Sequence, residues 1–127
     1  MKKLLGIVVL GLLLISTPSY AEWILAVTST EGDKFHFDPE TIIKKNDTKY
    51  VWVLMDYEIP LSDNSKSAKQ LLQFDCELKR LKMHDLILYT GQMGNGRPNR
   101  YELDGEKWKA ASPDSSWYVL INKVCKW

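Results

Sequence analysis

The stretch LQFDCELKR, residues 72–80, decides the fold that this sequence predicts. Apolar and polar residues alternate along it, which is typical of a half-buried antiparallel strand. Its apolar face carries Leu72, Phe74, Cys76 and Leu78. The other cysteine of the chain, Cys125, lies in a C-terminal segment whose apolar residues recur at helical spacing. A bond between the two cysteines would therefore hold a terminal helix on a sheet.

The first 21 residues have the three parts of a secretory signal peptide. Two lysines precede an apolar run over residues 4–15, and the small residues Ser19 and Ala21 follow it. We expect residues 1–21 to be a signal peptide and residues 22–127 to be the mature domain. The product would be exported to the periplasm or the outer cell surface. Because no second apolar run is long enough to span a bilayer, no transmembrane segment is expected after cleavage.

Charge and cysteine content limit the expected partners and cross-links. Cleavage would remove two lysines and leave 15 basic residues against 16 acidic ones, a net charge of about −1. This balance lacks the basic excess of a nucleic-acid-binding domain, so no nucleic-acid partner is expected. Two cysteines in an exported chain are most simply a single disulfide, here between Cys76 and Cys125, and the alternative is two free thiols.

Turn signals divide the mature chain into six strand candidates. The run Tyr50–Met55 is apolar on both faces, which indicates a central strand that is covered on both sides. Polar or glycine-rich segments over residues 58–69 and 91–107 are typical of surface loops. A turn is expected near residues 81–82. The strand candidates span residues 23–28, 35–37, 50–55, 72–80, 83–90 and 108–111.

Helix-entry signals occur twice in the chain. Asp38 followed by Pro39 predicts a single helical turn, and Ser112 followed by Pro113 precedes a longer helix. The apolar stripe of that helix consists of Trp117, Leu120, Ile121 and Val124. We therefore predict an α+β fold: an antiparallel sheet of five to six strands, with a C-terminal helix packed on one face and tied by a disulfide.

A single helix can cover only one face of such a sheet. The second face of Tyr50–Met55 must then meet a partner subunit, a ligand or the chain's own loops. A homodimer or a recognition surface and coverage by the chain's own loops remain alternatives at this point.

The sequence predicts no catalytic residue, metal site or cofactor. His36 and His84 have no partner at the spacing of metal ligands, and no serine lies in a nucleophile elbow. The glycines of residues 91–96 predict a turn with positive φ, because neither a strand–loop–helix unit nor a P-loop lysine accompanies them. Within and after that turn, Gly94, Gly96, Arg97 and Arg100 are the candidate binding residues, for an anionic ligand.

In the order and spacing of its motifs the chain resembles the surface-adhesin protein E family of Gram-negative bacteria. The motifs include Trp23, Phe37-Asp38-Pro39, Val51-Trp52-Val53-Leu54, Phe74-Asp75-Cys76, Tyr89-Thr90-Gly91 and Ser112-Pro113. The resemblance implies an antiparallel sheet with a C-terminal helix that is tied down by a disulfide. It also implies a dimer as one option and, for the founding member, binding of host proteins such as vitronectin and laminin.

Three functional hypotheses follow from the sequence. The first is an exported, non-enzymatic binding protein that recognises protein ligands through its sheet or loops. The second is a periplasmic accessory or inhibitor protein that inserts the loop 91–100 into a target. The third is an enzyme, which would require clustered titratable side chains in a cleft, for instance His84 beside a carboxylate and a serine.

Overall fold

The computed structural model describes residues 22–103 and 106–127, so the predicted signal peptide lies outside the described residues. Within these residues, eight strands form one antiparallel sheet, and one α-helix follows them. The strands are β1 Ile24–Thr28, β2 Lys34–Phe37, β3 Ile43–Lys45, β4 Thr48–Asp56, β5 Ser67–Asp75, β6 Arg80–Tyr89, β7 Pro98–Tyr101 and β8 Lys109–Ala110; the helix α1 is Ser116–Lys126.

The strands are arranged in the order β1-β2-β4-β5-β6-β7. Two short strands lie outside this order: β3 pairs with β4, and β8 pairs with β6. The predicted fold class is confirmed, but the sheet has two strands that the sequence did not predict, β3 and β7. Every residue of both strands is exposed, so neither shows the apolar alternation that identifies a half-buried strand.

Strand β4 lies in the middle of the sheet and is buried on both faces, as its sequence predicts. Val51 and Val53 are fully buried on the face that carries α1, which we call the inner face. Leu54 is fully buried on the opposite, outer face. Because directly opposed residues share a face, Leu72 and Phe37 join the two valines on the inner face.

The boundaries of the hairpin β5–β6 differ from the prediction. The prediction carried β5 through Cys76 to residue 80, whereas the strand ends at Asp75 and a turn over residues 76–79 follows. The Asp75 carboxylate causes this early end, because its Oδ1 accepts hydrogen bonds from the Glu77 and Leu78 N–H groups at 3.1 Å each. The predicted inward position of Leu78 is wrong, since 60% of that side chain is exposed.

The first residues of β5 and β6 also differ from the predicted strand boundaries. Strand β6 begins at Arg80, so the turn predicted near residues 81–82 lies inside a strand. Strand β5 begins at Ser67, three residues inside the segment that was predicted to be a loop. The predicted single turn after Asp38 is confirmed as a 3-10 turn at Pro39–Thr41, with the Asp38 carboxylate accepting from the Glu40 N–H.

The Asp75 turn should make the stability of the protein sensitive to acid. The Leu78 N–H bond, with further contributions from Arg80 and the Glu77 N–H, lowers the pKa of Asp75 below its usual range. A carboxyl whose pKa is lower in the folded state stabilises the protein above its unfolded pKa of about 3.9, and this contribution disappears as the pH falls through the folded pKa. We expect Asp75→Asn, which keeps an oxygen acceptor, to show a smaller loss of melting temperature between pH 6 and pH 3.

Thermal unfolding of both proteins at several pH values checks this expectation. Identical pH profiles for the two proteins would show that Asp75 makes no contribution of this kind.

Helix α1 packs on the inner face through the predicted stripe. Leu120, Ile121 and Val124 are fully buried, and the N-cap is Ser115, whose hydroxyl accepts from the Tyr118 N–H at 3.2 Å. The predicted N-cap Ser112 lies one turn earlier in the chain. Its carbonyl accepts from the N–H and hydroxyl of Ser115, so the sequence Ser112-Pro113 forms the turn that leads into the helix.

Two contacts fix the C-terminal end of α1. The Lys49 ammonium, on β4, donates to the carbonyls of Val124, Cys125 and Trp127 at 3.1–3.3 Å. The Val124 carbonyl also accepts from the Trp127 N–H at 3.1 Å. All three carbonyls lie at the C-terminal end of the helix, where its dipole is negative and a cation is favoured. The predicted disulfide between Cys76 and Cys125 is confirmed, with Cα atoms 5.8 Å apart.

Candidate functional site

The glycine-rich segment after β6 lies against the outer face of the sheet. The Ser67 hydroxyl connects it to β5 by donating to the Gly91 carbonyl at 2.7 Å and accepting from the Gly94 N–H at 2.9 Å. The Asp56 carboxylate accepts from the Met93 N–H at 2.9 Å. A Cβ atom on Gly94 would lie 3.0 Å from Lys69 Cε, so glycine permits this close approach.

The four candidate binding residues make different contacts. Gly94 faces the sheet, whereas Gly96 has a φ of +84° and lies against Thr90 and the Gly91 N–H. Arg97 is exposed and donates its backbone N–H to the Thr90 hydroxyl. The Arg100 guanidinium pairs with the Asp85 carboxylate at 2.8 Å, so its charge is already partnered.

The glycine segment and Trp23 together cover part of the outer face. The Lys69 ammonium lies 5.3 Å from the Tyr89 ring centre and 5.8 Å from the Trp23 ring centre, within reach of cation–π attraction. Leu54, next to Gly94, is completely buried by this arrangement. The chain's own segments thus account for one part of the face that the sequence left open.

The remaining part of the outer face keeps an apolar and aromatic surface, which we call the outer patch: Ile43, Tyr50, Trp52, Leu71 and His84. Ile43 is 63% exposed and lies opposite Tyr50 in the β3–β4 pairing. Trp52 and Leu71 oppose one another across β4 and β5, and both are half-buried. Because opposed residues share a face, Ile43, Tyr50, Trp52 and Leu71 form one surface across β3, β4 and β5.

His84 belongs to this surface, where its ring contacts Gln73 and Tyr50. Its Nε2 lies 2.8 Å from the Gln73 side-chain oxygen, and its ring centre is 5.3 Å from that of Tyr50. Burial, followed by the Lys82 charge, lowers the pKa of His84, so the ring is neutral at pH 7. His36, on β2, is buried and lies 3.3 Å from the Leu54 carbonyl through Nδ1.

Metal-ligand clusters and membrane-spanning helices are both absent from the part of the chain that the structure describes. Across residues 22–103 and 106–127, no cluster of three or more His, Cys, Asp or Glu side chains could hold a metal ion. In the same part of the chain, no helix has the length and apolar character to cross a membrane.

A helix docked on an antiparallel sheet and bonded to it by a disulfide is the arrangement that the sequence resemblance implied. The family model of surface-adhesin protein E matches residues 23–126. The chain belongs to this family. Membership in the surface-adhesin protein E family indicates an adhesin-like, exported protein.

Solved structures of the family have the same fold. Haemophilus influenzae protein E in crystal form II matches with a TM-score of 0.64 at 17% identity, over 87% of this chain and 91% of that chain. Protein E from non-typeable Haemophilus influenzae matches with a TM-score of 0.59 at 15% identity, over 87% of this chain and 79% of that chain. At these identities the likeness shows the fold alone. No curated protein matches the sequence.

Sequence reasoning missed two residues of the outer patch, Ile43 and Leu71. Ile43 lies in a short strand within a lysine-rich segment, where a single apolar residue carries no periodic signal. Leu71 fell on no predicted core face, since it precedes the quoted stretch 72–80. The available signal was an isoleucine pair, Ile42-Ile43, ahead of two lysines, and only the pairing of β3 with β4 places Ile43 beside Tyr50.

Proposed function

We propose that this protein is an exported, non-enzymatic binding protein that recognises a protein ligand through the outer patch. The observation that supports it is the exposure of Ile43 beside the half-buried Tyr50 and Trp52 on the uncovered part of the outer face. Aromatic side chains on a surface depleted in charge are the usual centre of a protein–protein contact. The family relationship suggests extracellular host proteins, with vitronectin and laminin as the first ligands to test.

The same proposal includes the compartment and the assembly state. Residues 1–21 would be removed as a signal peptide, and the mature domain would remain in the periplasm or reach the outer cell surface. A second copy of the chain is an alternative occupant of the outer patch, which would make the protein a homodimer. The inhibitor hypothesis finds less support, because the glycine segment lies flat on the sheet and offers no protruding loop for insertion.

A pair of isoleucine variants tests the binding surface. We expect Ile43→Glu to weaken binding to immobilised vitronectin or laminin at least tenfold, since a tenfold loss needs only about 1.4 kcal/mol of lost contact energy. Ile59→Glu is the matched control, because Ile59 is 75% exposed in the connection between β4 and β5 and lies outside the patch. Surface plasmon resonance measures both affinities, and thermal unfolding verifies that both variants fold.

Two results would contradict the proposed binding surface. The first is equal binding by Ile43→Glu and the unmodified protein, and the second is a loss of binding in Ile59→Glu. A purely periplasmic location in fractionated cells would exclude host proteins as the ligands. Sedimentation of the unmodified protein and of Ile43→Glu distinguishes a dimer interface from a ligand surface.

A further inference from the structure

A cavity of about 300 Å³ opens on the inner face, between β6, β8 and the start of α1. Its walls are largely apolar and come from Leu81 and Met83 of β6, from Ala110 and Ala111, and from Trp117 of the helix. This volume is at the lower end of the range for small-molecule sites. The cavity and the outer patch lie on opposite faces of the sheet, so they can be tested independently.

The position of the helix explains why this cavity exists. Helix α1 packs mainly on β1 and β2, so it does not extend across the inner face of β6. Trp117 forms one wall, and its ring is held edge-on against Phe35 with the ring centres 5.0 Å apart. Apolar side chains of β6 therefore face an open space that the protein's own core does not fill.

Two lysines and one acid line the cavity among the residues that the structure describes. Lys107 and Lys109 are exposed, and Glu106 is the acidic residue of this described lining. An elongated apolar group with a single negative charge at one end matches this combination. The transfer of each methylene into the apolar interior favours binding, and the lysines attract the charged end.

We propose that this cavity binds the alkyl chain of a medium-chain fatty acid, with its carboxylate at Lys107 and Lys109. A neutral alcohol of equal length would gain the same apolar burial without the ionic contact. A sugar would leave its hydroxyl groups opposite apolar walls that offer few hydrogen-bond partners.

Titration calorimetry with dodecanoate and dodecanol provides the test. We expect saturable one-to-one binding of dodecanoate and at least tenfold weaker binding of dodecanol. Lys109→Glu should remove this preference. The matched control is Lys45→Glu, which should keep it, because Lys45 is an exposed lysine on β3 and β3 pairs with β4, away from β6 and β8. Ala111→Leu should weaken both ligands because it fills part of the cavity. Absence of saturable binding, or equal affinity for the two ligands, would overturn the proposal.

Fluorescence places the alkyl chain within the molecule. A bromine-substituted dodecanoate should quench tryptophan emission when it binds, because Trp117 forms a wall of the cavity. Trp117→Phe should lose this quenching while calorimetry still detects binding. Undiminished quenching in Trp117→Phe would put the ligand elsewhere and refute the site, and this readout does not depend on the Ala111 variant being folded.

Discussion

The double variant Cys76→Ser/Cys125→Ser is expected to lose about 4 kcal/mol of its free energy of unfolding. The two cysteines are 49 residues apart in the chain, and the chain-entropy model gives this value for a loop of that length. Such a loss is a large share of the total stability of a small domain. For a domain of this size it corresponds to a fall in melting temperature of roughly 20 °C.

Most of this effect should arise in the unfolded state. In the folded state the end of α1 is also held by Lys49 and by the buried residues Leu120 and Val124. The folded variant should therefore keep its helix docked, with an unchanged far-ultraviolet circular dichroism spectrum. Urea unfolding of the variant and of the reduced, unmodified protein should give similar midpoints. A loss below about 1 kcal/mol in the variant would contradict the prediction.

The second large effect is expected for Phe74→Ala, with a loss of about 3–5 kcal/mol in the free energy of unfolding. Phe74 is completely buried on the inner face, where it belongs to the core that also contains Leu120 and Val124. Its removal would leave a cavity that neighbouring side chains can fill only in part. The cost therefore includes both the lost burial and the cavity.

Leu78→Ala is the matched control for this experiment. The alternation of the sequence places Leu78 on the same face as Phe74, whereas the structure places it in an exposed turn. A surface substitution of this kind should change the free energy of unfolding by no more than about 0.5 kcal/mol. Urea unfolding of both variants measures the difference, and equal losses would mean that β5 continues through Cys76 as the alternation suggests.

Features that depend on local periodicity could be predicted from the sequence. The run Tyr50–Met55 is apolar at every position, and this property requires a strand with neighbours on both sides. The stripe from Trp117 to Val124 requires a helix with one buried face. The chain has only two cysteines, so Cys76 and Cys125 are the only pair that could form an intramolecular disulfide. The bond between helix and sheet could therefore be predicted from the cysteine count.

Features that depend on a competing local interaction were predicted incorrectly. The alternation of apolar residues continues past Asp75, but its carboxylate accepts two N–H bonds and starts a turn instead. A continued strand and a turn are both compatible with this alternation. The hydrogen bonds from the Glu77 and Leu78 N–H groups to Asp75 favour the turn. Strands β3 and β7 escaped prediction because exposed edge strands have no buried face to impose alternation.

The amino-acid sequence by itself determined the fold class, the helix and the cross-link, because each follows from a repeat or a count within one segment. Only the tertiary structure decided how the outer face is covered. Gly94 contacts Lys69, which lies far from it in the sequence, and no short sequence pattern predicts such a contact. The same holds for the outer patch and the inner cavity. Their residues come from separate segments, and long-range strand pairing and helix packing alone bring them together.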